Sequence, residues 1–302
     1  MTVFVVGNAA VDLSFRLDRL PEPGETRVAA GRRADPGGKG LNQAIAARRA
    51  GAAVRFRAAV GDDAEGRRVA DRLAAEGLAT SDLVVEAGAT DQSVVLVASD
   101  AENAIVSTTD RARGLPAEAA AALPREGRPG DVLLLQGNLT LAATRAALEA
   151  ARGQRLRTVL NPAPAWPAAD GAVPWPLVDV VVVNRVEARQ LSGEPDPAAA
   201  ATALRRVGAG SVVVTLGAAG ALVAAAGGTD TVPAPMVAAV DTTGAGDTAC
   251  GVLAAMLAEG RSLAEAVQVA VTAAALSVTR AGALAGMPSA AEIAALIHGR
   301  QA

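Results

Sequence analysis

The stretch Ala239-Val240-Asp241-Thr242-Thr243-Gly244-Ala245-Gly246-Asp247-Thr248 runs from apolar residues through a glycine-rich bend into an Ala/Leu-rich segment reaching about Glu259. This order predicts a bend followed by a long buried helix. The backbone N–H groups of Gly244, Ala245 and Gly246 then sit at a helix N-terminus, where unpaired amides and the positive end of the helix dipole favour an anion. Asp247 falls in the first turn, where its carboxylate either caps the helix or serves as a base beside a phosphate. A glycine string alone is weak in a chain with 31 Gly. A dinucleotide fold wants such a string early in a strand–helix–strand unit, with an acidic residue about 20 residues on. Here the string opens a late helix, and no Lys-Ser/Thr follows as in a P-loop.

Upstream of the bend, β-branched runs alternate with helical stretches. Strands are expected at Val3–Val6, Val54–Ala59, Val132–Gln136, Thr158–Asn161, Val178–Val183 and Val212–Thr215. Helices are expected at Gly40–Ala50, Ala64–Glu76, Leu141–Ala151 and Pro197–Val207. Several strands are continuous apolar runs, as in parallel strands covered on both faces. The pattern predicts a three-layer α/β fold with a mostly parallel central sheet and helices on both faces, one domain over residues 1–302. Two segments, about 12–34 and 92–109, alternate like strands without an intervening helix and predict a small separate sheet. Pro162–Pro176 reads as an ordered surface loop in which Trp166 and Trp175 pack.

Composition narrows the function. Apolar residues make up 51% of the 302 and charged residues 20%. That is enough for a large core. The net charge is -3, and aromatics are 2% with no Tyr. Both features argue against nucleic acid as partner. One Cys, Cys250, and one His, His298, exclude a disulfide framework and a His- or Cys-based metal cluster. Cys250 reads as a packed core thiol, His298 as a surface residue of the last helix, and Arg32-Arg33 and Arg48-Arg49 as solvated faces. No secretion signal or membrane span is visible, so a cytoplasmic location is expected.

The only Lys of the chain, Lys39, stands in Asp35-Pro36-Gly37-Gly38-Lys39-Gly40-Leu41-Asn42-Gln43. Where Arg otherwise supplies the positive charge, a retained Lys marks a place for a compact ammonium. The glycines allow close approach of a small ligand, and Asn42 enters from the first helical turn. Asn184-Arg185-Val186-Glu187 follows the strand at Val178–Val183. That is the end where α/β sheets bind ligands, and Glu187 suits Mg²⁺ held through water. Asn161-Pro162-Ala163-Pro164 and Thr215-Leu216-Gly217 follow two further strands in the same way.

Taken together, Gly37–Gln43 and Asp241–Gly251, with Asn161–Ala165 and Asn184–Glu187, resemble the ribokinase-like (PfkB-type) carbohydrate kinases, nearest their ribokinase branch. The likeness runs from Val3 to about Pro288. It implies an ATP-dependent sugar kinase acting on a primary hydroxyl of ribose or a related sugar, using Mg²⁺ and K⁺. By this likeness Asp247 is the base, and Gly244, Ala245 and Gly246 form the anion hole. Asp12, Gly38, Lys39, Asn42 and Asn138 match sugar-binding positions. Asn184, Thr215, Gly217 and Gly246 match nucleotide contacts, and Glu187 matches the Mg²⁺-linked carboxylate. Asp241, Thr243, Ser277, Arg280 and Gly282 match a monovalent-cation loop, largely through backbone carbonyls. The two strand-rich segments match a lid over the sugar that also forms a homodimer interface.

Three departures bear on the acceptor: Ala10 where a ribokinase has Asn, Asn138 where it has Glu, and Asp110-Arg111-Ala112 where Gly-Ala-Asn closes the second lid segment. A lost buried donor or acceptor shifts specificity by orders of magnitude. Fructose-type ketoses, sugar acids and nucleosides therefore stay open as acceptors, and Arg111 and Arg113 read as a solvated loop in preference to contacts with an anionic one. A sugar- or nucleotide-binding regulator without turnover is the alternative from another class.

Overall fold

The computed structural model describes residues 1–99 and 103–299. Residues 100–102, inside the second strand-rich segment, lie outside the described residues, as do 300–302. The chain starts with strands β1 (Thr2–Val6), β2 (Ala10–Arg16) and β3 (Gly31–Gly37), then helix α1 (Lys39–Arg49). Next come β4 (Ala53–Arg57), β5 (Ala59–Gly61), α2 (Ala64–Ala75), β6 (Val84–Glu86), β7 (Gln92–Val97), β8 (Asn103–Ser107), α3 (Asp110–Gly114) and α4 (Ala117–Ala122). The middle third holds β9 (Val132–Gln136), α5 (Leu141–Gly153), β10 (Arg157–Asn161), β11 (Val180–Asn184), α6 (Arg185–Ser192) and α7 (Pro197–Arg206). Then follow β12 (Ser211–Thr215), β13 (Ala221–Ala225) and β14 (Gly228–Val232), and the chain turns helical with α8 (Ala245–Ala258), α9 (Leu263–Ser277), α10 (Ala283–Gly286) and α11 (Ala290–His298).

The main sheet has eight strands in the order β14-β13-β12-β11-β10-β9-β1-β4. From β4 to β12 every pairing is parallel, and the last two are antiparallel. Side chains alternate between two apolar layers. Val3, Val5, Val132 and Leu134 pack with α1, α2, α8 and α9, whereas Phe4, Val6, Leu133 and Leu135 pack with α4, α5 and α7. Such two-sided burial is why these strands read as unbroken Val/Leu runs.

The expected strands are present with shifted ends. The run Val54–Ala59 divides: β4 stays in the main sheet, while β5 leaves it and pairs with β6. The run Val178–Val183 begins pairing only at Val180, because the Asp179 carboxylate accepts from the Thr158 amide (2.8 Å) and hydroxyl (3.0 Å). The hairpin β13–β14 has no counterpart among the expected strands, since Ala-rich strands resemble helices in composition.

The separate sheet is real, with the order β3-β2-β7-β8. It starts at Ala10 and takes in Asp35, Pro36 and Gly37, so its first part extends beyond the expected 12–34. Pro36 is tolerated because β3 is an edge strand, where no ladder amide is required. One face, with Asp12, Ser14, Arg16, Val95 and Val97, lines a cavity toward the main sheet. By the alternation of strands the other face carries Leu13, Phe15, Val94, Leu96 and Val106. Of these, Val106 is 74% exposed.

Two arginine expectations need correction. Arg49 is not on a solvated face: its guanidinium is bidentate to Glu76 (2.6 and 3.0 Å) and donates to the Met287 carbonyl. Arg111 and Arg113 stand on the short helix α3 rather than in a solvated loop, and pair with Glu86 and Asp170. Trp166 packs in the core with its Nε1 on the Leu139 carbonyl (2.7 Å), as expected of that loop.

Candidate active site

Helix α8 places Asp247. Gly244 caps it in the left-handed region (φ 78°). A β-carbon there would stand 2.8 Å from Ala283 Cα. Only glycine fits such a position without strain. The Ala245 amide closes onto the Thr242 carbonyl (3.3 Å). Among the described residues the amides of Gly244, Gly246 and Asp247 have no protein acceptor, so of the three amides expected to be open only that of Ala245 is closed. From Asp247 to Ala258 the helix is buried, and Gly251 lets α1 press against it at Gln43, Ala46 and Ala47. The N-termini of α1 and α8 thus converge at the C-terminal ends of β10, β11 and β12, where open α/β sheets bind ligands.

A cleft of about 230 Å³ opens there, lined by Lys39, Asn184, Glu187, Thr215, Gly246 and Asp247. Gly244, Thr242, Asn161 and Cys250 also line it, with Val182 and Val183. Asp247 is 7% exposed, and each of its oxygens holds a donor: Asn42 Nδ2 on Oδ2 (3.0 Å) and Gln43 Nε2 on Oδ1 (2.9 Å). Gln43 Nε2 also donates to Asn161 Oδ1 (3.1 Å), and Gln136 Nε2 donates to Gln43 Oε1 (2.8 Å). Asn184 and Glu187 cap α6 reciprocally, at 2.9 Å in both directions. This capping box fixes the carboxylate at the cleft wall.

The charges are coupled across the cleft. Asp247 above all, with Glu187 and Asp12, pushes the Lys39 ammonium above its ordinary value, although burial opposes the shift. Burial pushes the Asp12 carboxyl up to about 6, a bond to Ser93 resists it, and Asp247 and Asp35 add to the rise. Burial also pushes up the Cys250 thiol, leaving it an inert packing group.

A second cavity, of about 380 Å³, adjoins this cleft beneath the four-stranded sheet, with Asp12 in its wall. Asp241, Thr243 and Gly282 line its opposite side. The Asp241 carboxylate accepts from the Thr243 amide (2.9 Å) and the Gly282 amide (2.7 Å), and these bonds outweigh burial to hold it below the usual carboxylate range. The Val240 and Asp241 amides both donate to the Val278 carbonyl. The Arg280 guanidinium turns away to Glu292, so only its backbone faces the loop.

Most of the residues singled out from sequence therefore meet, but not all. Gly38 caps α1 (φ 93°) rather than lining either cavity. Asn138 lies in the turn after β9 with its Oδ1 buried and unbonded, and Gly217 starts a turn just beyond Thr215. Gln43, Gln136 and Thr242 carry no expectation from sequence. Gln43 stands inside the Lys39 stretch, whereas Gln136 looks like the end of a strand.

Comparison with known proteins agrees with this geometry. The profile of the pfkB family carbohydrate kinases matches residues 2–290. A ribokinase of Haemophilus influenzae is 33% identical over 294 residues, covering 95% of each chain. The crystal structure of a Thermotoga maritima ribokinase superposes with a TM-score of 0.89 at 29% identity, over 98% of this chain and 99% of the other. An Arabidopsis thaliana ribokinase, whose structure was solved with ribose and ATP, gives 0.87 at 27% identity over 98% of both.

Proposed function

This chain belongs to the pfkB family of carbohydrate kinases, and on that premise we propose that it transfers the γ-phosphoryl group of ATP to a primary hydroxyl of ribose or a near relative. The observation that carries the reading is Asp247, held between Asn42 and Gln43 in a cleft shared with Lys39, Glu187 and the open amides of α8. Phosphoryl transfer asks for positioning and charge neutralisation more than covalent chemistry. Asp247 takes the proton of the acceptor hydroxyl as its oxygen bonds to the γ-phosphorus and the bond to the ADP oxygen breaks. Lys39 and the amides of Gly246 and Asp247 offset charge on the transferring group. Asp12, Lys39 and Asn42 hold the sugar, and Asn184 and Thr215 face the nucleotide.

The donor set also fits two ions. Glu187, fixed at the cleft wall, suits a hydrated Mg²⁺, which when bound supplies charge neutralisation for the triphosphate. Beside Gly286 the carbonyl oxygens of Arg280 and Ser277 converge, 2.8 and 3.1 Å from where a β-carbon would stand. With the Asp241 loop opposite, this oxygen cradle suits K⁺. The four-stranded sheet serves as the lid that excludes water, and its apolar outer face supports a homodimer. A sedimentation profile of a monomer at micromolar concentration would remove the dimer. A cytoplasmic site of action follows from the substrates.

A second acceptor class is favoured by Ala10, 3% exposed, and Asn138, which both lack groups found in ribokinases. The deciding experiment measures ATP consumption over ribose, deoxyribose, fructose, sugar acids and nucleosides, with and without K⁺, and repeats it with Asp247→Asn. Turnover lost in the variant while nucleotide still binds supports the reading. Turnover unchanged removes Asp247 as base, and no turnover with any acceptor favours a regulator.

A further inference from the structure

We infer that Gln43 is a positioning residue that aims the Asp247 carboxylate, and that Gln136 acts on the reaction only through Gln43. The inference rests on the kinase reading of this same cleft. Both glutamines are fully buried, at 0% exposure.

The polarity of this amide chain is fixed from its two ends. Asn161 Nδ2 donates to the Val182 carbonyl (2.9 Å), an acceptor only, so Asn161 turns its Oδ1 toward Gln43. The Asp247 carboxylate oxygens likewise accept from Asn42 and Gln43. Facing two acceptors at 2.9 and 3.1 Å, Gln43 presents its NH₂, and its Oε1 then points the other way. There Gln136 meets it with its own NH₂ at 2.8 Å. Gln136 is in turn held at the end of β9 against Gly7, where any β-carbon would collide with its Oε1. With Asn42 on one oxygen and Gln43 on the other, the carboxylate plane of Asp247 has one orientation.

Stability alone gives no reason for this arrangement. Burying amides costs free energy unless every group is paired, and Gln136 Oε1 is buried without a hydrogen bond. Methionine, close in volume, placed at both positions would remove the amide pair and its unbonded Oε1 together, at the cost of the donor to Asp247 and Asn161. The chain instead keeps two buried amides that end on Asp247 and Asn161. A carboxylate free to rotate would spend part of its time aimed away from the acceptor hydroxyl, and a misplacement of about 1 Å costs on the order of a hundredfold in rate.

The test compares Gln43→Met, Gln136→Met and the double variant in full-length protein with the best acceptor of the panel. Gln43→Met is expected to lower kcat by about a hundredfold while KM for sugar and for ATP stays within about threefold. Gln136→Met is expected to lower kcat about tenfold, and the double variant to be no worse than Gln43→Met, because residues acting through one another are not additive. Multiplying losses, or a loss confined to KM, would overturn the inference. Should Gln43→Met not fold, Gln136→Met carries the same test with Gln43 in place. Crystal structures of the variants give a readout free of turnover: the Asp247 carboxylate should rotate away from its wild-type orientation. An unrotated carboxylate overturns the positioning role. A rotated one in a protein inert toward every acceptor would instead strike only the kinase reading.

Discussion

Asn42 and Asp247 lie 205 residues apart in the chain and 3.0 Å apart in space, the Nδ2 of the first donating to the Oδ2 of the second. The amide of Asn42 is therefore committed to Asp247, while its Oδ1 is buried and unbonded; under the proposed function that oxygen is the atom left to accept from the sugar. Asn42→Leu is expected to raise the acceptor KM and to lower kcat, each by roughly tenfold or more, since it removes one contact to each partner. Steady-state kinetics with both substrates varied checks this, and a change in KM alone would show that the bond to Asp247 is idle.

Asp12 gives the site a pH dependence. Its carboxyl rises from 3.8 to about 6 in the fold, chiefly through burial. Folded Asp12 keeps its proton at pH values where the unfolded chain has lost it. Its contribution to stability is thus complete below pH 3.8 and is lost as pH rises through about 6, by at most about 3 kcal/mol. Chemical denaturation from about pH 4 to 7 should show this fall in the wild type and not in Asp12→Asn. The acceptor KM should rise in the opposite sense, as pH drops below about 6 and the sugar loses an ionised partner. A wild-type KM that is flat through that range would remove Asp12 from the sugar site.

The oxygen cradle beside Gly286 is testable by filling it. Gly286→Ala puts a methyl 2.8 Å from the Arg280 carbonyl and 3.1 Å from that of Ser277. If K⁺ sits there as proposed, K⁺ should stimulate the wild type and not the variant, while activity without K⁺ changes little. Activation curves with K⁺, Na⁺ and Cs⁺ decide it, and K⁺ stimulation persisting at the same half-saturating concentration would place the ion elsewhere.

Gly251→Ala tests how closely α1 and α8 must pack. The added methyl would stand 2.5 Å from Ala46 Cβ and 2.9 Å from the Ala47 amide nitrogen. Overpacking of this kind costs about 1–3 kcal/mol, and it should also lower kcat because α1 carries Asn42 and Gln43 to the base. Thermal unfolding and kcat measured together check the coupling. A destabilised protein of unchanged kcat would mean that the site tolerates the displacement.

How far the sequence discloses this molecule depends on the range of the interaction. The Val and Leu runs of β1, β9, β10 and β11 are legible because burial on both faces leaves no alternation to confuse them. Ala221–Ala225 is not, since alanine fits either element and its strand state comes from pairing with β12. At the site, Lys39 and Asp247 stand out by rarity and by the glycines around them. Gln43 and Gln136 do not, because an amide beside apolar residues has no local meaning: their roles arise from contacts across 204 and 93 residues. Arg49 is opaque for the same reason, its partner being 27 residues away on the neighbouring helix end.

The close seat of α1 against α8 has a consequence during synthesis. At about 5–20 residues per second, the helix bearing Asn42 and Gln43 emerges from the ribosome roughly 10–40 s before the one bearing Asp247. Over that interval the apolar flank of α1, with Leu41, Ile45 and Ala47, has no α8 to lie against. The nascent chain should therefore engage a holding chaperone until translation passes residue 258, and catalytic competence should appear all at once at the end rather than in stages.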